Sequence, residues 1–167
     1  MQTDIGEYVV GAYLAIIAGC QFVQYNVRAP GGGLDGLNEL DVVGLNVTTG
    51  TAYLCEVATH LDGLNYGAGN ADTVVRIAKK HDWQRHYAAT HLATFPQRRY
   101  MLWAPVVPVG ALTAGLGALT DLELAINGDY TARIDALRTK ARQSTADHNN
   151  PFFRTLQILE HLKQPSK

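Results

Sequence analysis

Hydrophobic and polar residues follow two rhythms along this chain, and each rhythm predicts one type of element. Apolar residues at helical spacing, or on nearly every side of a continuous run, predict helices in four segments: residues 4–19, 71–91, 129–142 and 150–163. Alternating or short continuous apolar runs bounded by turn residues predict strands in five segments: residues 21–27, 39–46, 51–57, 99–107 and 122–126. Helical and strand patterns therefore alternate, as they do in α/β proteins.

The predicted elements begin in the order α-β-β-β-α-β and end with helices. A chain of 167 residues is the size of one domain. We therefore expect a single α/β domain over residues 1–167, with a core over residues 1–107 and a mainly helical C-terminal extension over residues 108–167. Residues 29–38 are rich in Pro and Gly and predict a loop, in which Asp35 is a candidate to lie near a substrate.

Two of the predicted strands carry carboxylates where strands usually carry apolar residues. Glu39 and Asp41 lie on the second strand, and Glu56 lies on the third. Burying unpaired carboxylates costs several kcal/mol unless a cation or hydrogen-bond donors compensate them. Because residues of one parity share a side of a strand, Asp41 and Glu56 can meet on one face of a paired sheet. This pattern predicts a divalent-metal site, and the alternative is strand-end carboxylates in salt bridges with basic residues. Glu39 either assists at that site or stands solvated where its strand begins.

The net charge of −1 conceals two halves of opposite sign. Residues 1–72 hold eight Asp and Glu with one Arg, whereas residues 73–167 hold thirteen Lys and Arg with seven Asp and Glu. Such a division is compatible with an enzyme that binds a cation and attracts a polyanion. The alternative, which charge alone favours, is two solvated faces of opposite sign.

Neither export nor a membrane partner is predicted. The residues before the first apolar run include Asp4 and Glu7 but no Lys or Arg, unlike the positive start of a secretory signal. No apolar run reaches the length of a membrane span. We therefore expect a cytoplasmic protein.

The carboxylates belong to a longer pattern that resembles a known superfamily. The pattern consists of four pieces: Gly6-Glu7, Asn26-x-Arg28, Glu39-Leu-Asp41-Val-Val and Glu56-Val57. Together with the α-β-β-β-α-β order, it resembles the PD-(D/E)xK nucleases and, among them, the archaeal Holliday-junction resolvases. The resemblance covers roughly residues 4–107. It implies a restriction-endonuclease-like core with a mixed sheet.

The resemblance also implies a metal site and a reaction. Asp41 and Glu56 would bind Mg²⁺ or Mn²⁺ together with the backbone carbonyl of Val57, and Glu7 would assist through a water. Mg²⁺ is usually held by one or two carboxylates, with waters and substrate phosphate as further ligands. It would activate a water and stabilise negative charge at phosphorus. Glu7 has a second interpretation, because with Asp4 as helix cap it occupies the capping-box position.

The chain departs from the superfamily at its third motif, which normally ends in Lys two residues after the Glu. Here that position is Ala58. The following predicted helix carries Lys79 and Lys80. A long side chain from this helix could reach the space that the motif lysine would occupy. We choose Lys79 as the catalytic lysine. The alternative is that both lysines are surface charges.

The same helix carries basic and aromatic residues on one side. Arg76, Lys80 and Trp83 recur at helical spacing, and we predict that they bind nucleic acid through phosphate contacts and base stacking. The alternative is an amphipathic helix whose Trp packs on the sheet.

Taken together, these residues predict a Mg²⁺-dependent endonuclease that hydrolyses phosphodiester bonds in nucleic acid, with DNA as the expected substrate. Because the motif lysine is missing, the alternative is a catalytically inactive protein of nuclease fold that serves as a nucleic-acid-binding or assembly module. A homodimer is a further partner to consider, since the last predicted helix has an apolar row that could pack on a second copy. We favour packing of that helix on its own domain.

Overall fold

The structure, a computed structural model, describes residues 2–30, 39–146 and 148–163. Over these residues the chain forms five strands and five helices. The strands are β1 (Phe22–Arg28), β2 (Glu39–Asn46), β3 (Thr51–Val57), β4 (Gln97–Ala104) and β5 (Leu122–Ile126). The helices are α1 (Ile5–Ile16), α2 (Asn70–His91), α3 (Ala111–Gly117), α4 (Asn127–Gln143) and α5 (Pro151–Leu162).

The strands form one mixed sheet in the order β1-β2-β3-β4-β5. β1, β2 and β3 are antiparallel neighbours, whereas β3, β4 and β5 run parallel. Parallel neighbours require crossover connections, and α2 and α3 supply them. Cys55 pairs with Val42 on one side and with Met101 on the other, which fixes the register across the centre of the sheet.

Helices cover both faces of the sheet, so the central strands are buried along most of their length. On one face, Cys55 and Trp103 pack in a cluster with α1. α1 approaches β2 closely, because a Cβ on Gly44 would lie 2.9 Å from Leu14 Cδ1. On the other face, Leu102 packs in a cluster with residues of α2 and α3. The result is a three-layer α/β/α arrangement.

The last helix, α5, packs against α1 and α4. Asn150 caps it, since Asn150 Oδ1 accepts a hydrogen bond from the Phe153 N–H at 2.9 Å, and Pro151 occupies the first helical position. Phe153 is fully buried, and Leu156 is buried beside it. The expectation that this helix packs on its own domain is confirmed.

The α/β class, the mixed sheet and the C-terminal helices agree with the sequence-based expectation. The fourth strand ends earlier than predicted, at Ala104 and not at residue 107. Because β4 is hydrogen-bonded on both sides and Pro105 has no N–H, the ladder cannot continue through the proline. The sheet also extends beyond residue 107, since β5 pairs with β4. Among the described residues, no helix combines the length and the apolar character needed to cross a membrane.

Candidate functional site

Asp41 and Glu56 lie side by side at one end of the β2–β3 pair. The last paired residues of this ladder are Val42 and Cys55, so the register places Asp41 opposite Glu56 one step further along. The two carboxyl groups are close enough for each to influence the ionisation of the other. Glu56 is only 7% exposed, and Asp41 is partly buried. The two strands therefore present an acidic pair that is largely removed from water.

A backbone hydrogen bond holds Asp41 against the end of β3. The N–H of Val57 donates to Asp41 Oδ2 at 2.7 Å. A carboxylate that accepts from a backbone amide is fixed in direction, because the amide cannot rotate away. Val57 thus contacts the site through its N–H, whereas the resemblance assigns a role to its carbonyl.

A lysine from α2 lies beside the acidic pair. Lys80 Nζ lies 3.3 Å from Glu56 Oε2, and the Lys80 side chain is 16% exposed. Lys79, the catalytic lysine expected from the sequence, is exposed. The reason is helical geometry: Ile77 and Gln84 belong to the buried row of α2, Lys80 lies next to that row, and Lys79 lies on the opposite side. The structure therefore places Lys80, and not Lys79, at the carboxylates.

Glu7 approaches the same end of the sheet from the first turn of α1. It completes a capping box, in which Asp4 Oδ1 accepts from the Gly6 N–H at 2.8 Å and Glu7 Oε2 accepts from the Asp4 N–H at 3.3 Å. The same Glu7 oxygen accepts a hydrogen bond from Asn26 Nδ2 at 3.0 Å. A Cβ on Gly6 would collide with Thr59 Cγ2, so the glycine lets this helix end lie against the segment that follows β3. Glu7 is therefore a capping residue whose carboxylate also belongs to the site.

Burial and neighbouring negative charge raise the pKa values of these three carboxyl groups. Burial, followed by the charge of Asp41, raises the pKa of Glu56 to about 8, although Lys80 opposes the shift. Burial, again followed by Asp41, raises the pKa of Glu7 to about 7. Burial raises the pKa of Asp41 as well, against the hydrogen bond from Val57 and the charge of Lys80. Near neutral pH the three groups therefore carry fewer than three negative charges, and an added cation would favour full ionisation.

Glu39 is buried, at 4% exposure, and does not stand solvated at the strand entry. Its Oε2 lies 3.2 Å from Nη2 of Arg28, the residue opposite it on β1. Its Oε1 is buried and has no hydrogen-bond partner among the described residues. Glu39 also raises the pKa of Asp41, so it adds to the negative charge near the site. Asp35 lies outside the described residues.

The residues of α2 that we predicted to bind nucleic acid differ in their environments. Arg76 is exposed, and its guanidinium carbon lies 4.5 Å from the centroid of the Tyr66 ring. The charge of Arg76 acts to lower the pKa of Glu56, so the two groups are near each other. Trp83 is half-buried, packs against the cluster that contains Leu54, and buries its Nε1. The packing alternative therefore describes Trp83, whereas Arg76 borders the carboxylates.

Two residues of the site were not predicted from the sequence as functional. Asn26 donates to Glu7, and Tyr66 supports Arg76. Asn26 has a φ of 52°, a conformation that Asn tolerates better than most residues, so an Asn inside an apolar strand pattern is the available signal. For Tyr66, the sequence feature that could have identified it is an aromatic residue in a Gly-rich loop.

The site fits a divalent cation by charge and by donor type. Two carboxylates whose ionisation is suppressed offer the hard oxygen ligands that Mg²⁺ and Mn²⁺ prefer. Within residues 2–30, 39–146 and 148–163, no group of three or more Asp, Glu, His or Cys side chains is arranged to hold a metal ion. Two carboxylates are too few for a closed structural site, so a cation held here would also need water or substrate oxygens as ligands.

Comparison with known proteins does not assign this chain to a family. No family model matches it, and no curated protein or solved structure matches it either. The functional interpretation therefore depends on the geometry and the charges of the site.

Proposed function

We propose that this protein is a nuclease that uses Mg²⁺ or Mn²⁺ to hydrolyse phosphodiester bonds in nucleic acid, with DNA as the substrate. One observation carries the proposal: Lys80 Nζ lies 3.3 Å from Glu56 Oε2, and the β2–β3 register places Glu56 opposite Asp41. The acidic pair thus has a lysine beside it even though Ala58 occupies the position of the motif lysine. The proposal includes a cytoplasmic location.

Asp41 and Glu56 would hold the cation, with the Val57 carbonyl as the further ligand that the resemblance implies. When bound, a divalent cation supplies a water of lowered pKa and charge stabilisation at phosphorus. The hydrogen bond from the Val57 N–H keeps Asp41 in place, so little rearrangement is needed before binding. The burial of Glu56 strengthens electrostatic interactions at its carboxylate, because little bulk water surrounds it.

Lys80 would stabilise negative charge at the scissile phosphate, and Glu7 would transfer protons there. The Lys80 ammonium can donate a hydrogen bond to a phosphate oxygen or to the attacking water. Glu7, with a pKa of about 7, can take up or release a proton near neutral pH, which suits a general acid or base. Asn26 fixes the orientation of the Glu7 carboxylate through its hydrogen bond.

Replacing Asp41 tests the proposal. The Asp41→Asn variant should lose Mg²⁺- or Mn²⁺-dependent cleavage of a fluorescent DNA substrate by about 1000-fold, because the loss of a metal ligand removes several kcal/mol of charge stabilisation. Asp129→Asn is the matched control, since Asp129 is exposed in the first turn of α4, and it should cleave like the wild type. Thermal melts followed by circular dichroism should show both variants folded.

Undiminished cleavage by Asp41→Asn would remove Asp41 from the reaction. A wild-type protein that binds DNA but never cleaves it would instead favour the binding or assembly module that Ala58 suggests.

A further inference from the structure

Three planar side chains lie together beside the carboxylates. The guanidinium carbon of Arg76 lies 4.5 Å from the Tyr66 ring centroid, and the His60 ring meets Tyr66 edge-on at 5.4 Å with an interplanar angle of 90°. Burial and then the charge of Glu56 raise the pKa of Tyr66, so this ring is close to the acidic pair. His60 and Arg76 are exposed, and Tyr66 is half-buried. We call His60, Tyr66 and Arg76 the planar cluster.

The loop that carries Tyr66 is fixed to the start of α2. The buried Thr73 hydroxyl accepts a hydrogen bond from the Tyr66 N–H at 2.8 Å and lies 3.1 Å from the Tyr66 carbonyl oxygen. Further along, Asp72 Oδ2 accepts from the Ala68 N–H at 2.9 Å. Before Tyr66, the buried Leu64 donates its N–H to the Val106 carbonyl at 2.8 Å. Tyr66 is therefore a preorganised support for Arg76, which reduces the entropy that a ligand must overcome on binding.

Arg76 is available to a ligand. It forms no ion pair within the described part of the chain, and its guanidinium carbon lies over the Tyr66 ring. Arg76 precedes Lys80 by one helical turn, so both cations project from the same side of α2. A guanidinium held by a ring on one face can stack on a nucleobase with the other face, while its edge binds phosphate.

Two exposed apolar side chains lie on the loop that carries His60 and Tyr66 and on the loop that is hydrogen-bonded to it. Leu61, adjacent to His60, is 80% exposed, and Val109 is 89% exposed. The loops that carry them are joined by the hydrogen bond between Leu64 and Val106. Nucleic-acid-binding proteins use apolar side chains of this kind to separate stacked bases.

We propose that the planar cluster is a nucleotide subsite that stacks an unpaired base next to the scissile phosphate, so that the substrate is single-stranded or locally unpaired. In a duplex, the faces of the bases are covered by their neighbours, and a stacking surface can be used only where bases are free. The subsite rests on the proposed nuclease function for the position of the scissile phosphodiester. DNA and RNA share the chemistry that it recognises.

Binding measured in EDTA tests the subsite separately from cleavage. Fluorescence anisotropy would compare a labelled single-stranded DNA of about 20 nucleotides, longer than usual single-strand sites, with its duplex and with single-stranded RNA of the same sequence. The wild type should bind the single strand at least about 10-fold more tightly than the duplex. Arg76→Ala and Arg76→Lys should both weaken single-strand binding by about 10-fold, because a stacked base contributes about 5- to 150-fold in affinity. Arg85→Ala, which removes an exposed arginine further along α2, is the matched control and should stay within about 2-fold, as expected for a surface charge.

The outcomes separate the two proposals. Equal affinity for duplex and single strand, or wild-type binding by Arg76→Lys, would overturn the subsite even if Mg²⁺-dependent cleavage is observed. Selective single-strand binding that depends on the Arg76 plane, without any cleavage in Mg²⁺ or Mn²⁺, would keep the subsite and overturn the nuclease. Tighter binding of RNA than of DNA would support the subsite and assign RNA as its source of unpaired bases.

Discussion

Two buried glutamates in this protein have opposite electrostatic environments. Glu160 on α5 is 3% exposed, and three cations surround it: Arg138 Nε lies at 2.8 Å, Arg142 Nη1 at 3.1 Å and Lys163 Nζ at 3.4 Å. Hydrogen bonds, of which the one from Arg138 contributes most, lower the pKa of Glu160 to about 2. This glutamate ties α5 to α4, and its charge is fully compensated.

Glu56 is buried to a similar degree but is compensated only in part. Lys80 is its ion-pair partner among the described residues, and Asp41 lies beside it with a charge of the same sign. Burial, followed by the charge of Asp41, therefore raises the pKa of Glu56 to about 8, whereas hydrogen bonds, first of all from Arg138, lower the pKa of Glu160. The contrast teaches that burial alone does not mark a functional acid. A buried acid without sufficient positive charge beside it is therefore the candidate for binding a cation.

Replacing Lys80, the ion-pair partner of Glu56, should have the largest effect among the variants that test this comparison. Lys80→Ala should reduce Mg²⁺-dependent DNA cleavage by about 100-fold or more, the loss typical of a group that stabilises transition-state charge. Lys79→Ala is the matched control, because Lys79 is exposed one position away, and it should retain cleavage within about 2-fold, as expected for a surface charge. Initial cleavage rates at saturating Mg²⁺ provide the measurement. Loss of cleavage in Lys79→Ala, with Lys80→Ala active, would reverse the assignment of the lysine.

The two glutamates should also make stability depend on pH in opposite directions. Glu56 has a folded-state pKa of about 8 against an ordinary value of 4.5, so its contribution is present below pH 4.5 and is lost as pH rises towards 8. Glu160 has a lowered pKa, so its contribution is present above pH 4.5 and is lost as pH falls towards 2. The free energy of unfolding, measured with urea in EDTA, should therefore decline by on the order of a few kcal/mol between pH 5 and pH 8. Mn²⁺ at pH 8 should reverse the decline.

Replacing each glutamate by glutamine, its neutral isostere, separates the contributions of Glu56 and Glu160 to the pH dependence of stability. Glu56→Gln should reduce the decline towards pH 8, since glutamine resembles the protonated acid, and the part that remains belongs to Glu7 and Asp41, whose pKa values are also raised. Glu160→Gln should leave that decline intact and instead lower stability at neutral pH, with a smaller difference from the wild type at pH 2. An unchanged alkaline slope in Glu56→Gln would show that the buried carboxyl is not the group responsible.

The acidic pair could be predicted from the sequence because strand geometry leaves few choices. A strand has only two sides. An acid within an apolar run therefore either destabilises the apolar core or shares a face with other polar groups. Asp41 and Glu56 occupy such positions, and the hairpin between β2 and β3 fixes their register. The cap of α5 could be predicted for a similar reason, because Asn150 and Pro151 combine two local signals.

The choice of lysine could not be predicted, because the buried side of α2 is partly polar. His81 and Gln84 are buried, and Gln84 Nε2 donates to the carbonyls of Leu54 and Met101 at 3.0 and 3.1 Å. A hydrophobic pattern cannot show which way such a helix faces, so Lys79 and Lys80 are equivalent in sequence.

The helix α3 was not predicted, because no element was assigned to this Gly/Ala/Leu stretch. A Cβ on Gly115 would lie 2.8 Å from Val74 Cγ2, so glycine here allows close packing of α3 on α2.

Calorimetric titration of Mn²⁺ into the wild type and Asp41→Asn measures directly whether the acidic pair holds a divalent cation. The wild type should bind one ion per chain and release protons, because raised-pKa carboxyl groups must ionise to become ligands. This release appears as a dependence of the binding heat on the ionisation enthalpy of the buffer. Asp41→Asn should show no such binding. Absence of binding to the wild type, or undiminished binding to Asp41→Asn, would contradict a cation site between Asp41 and Glu56.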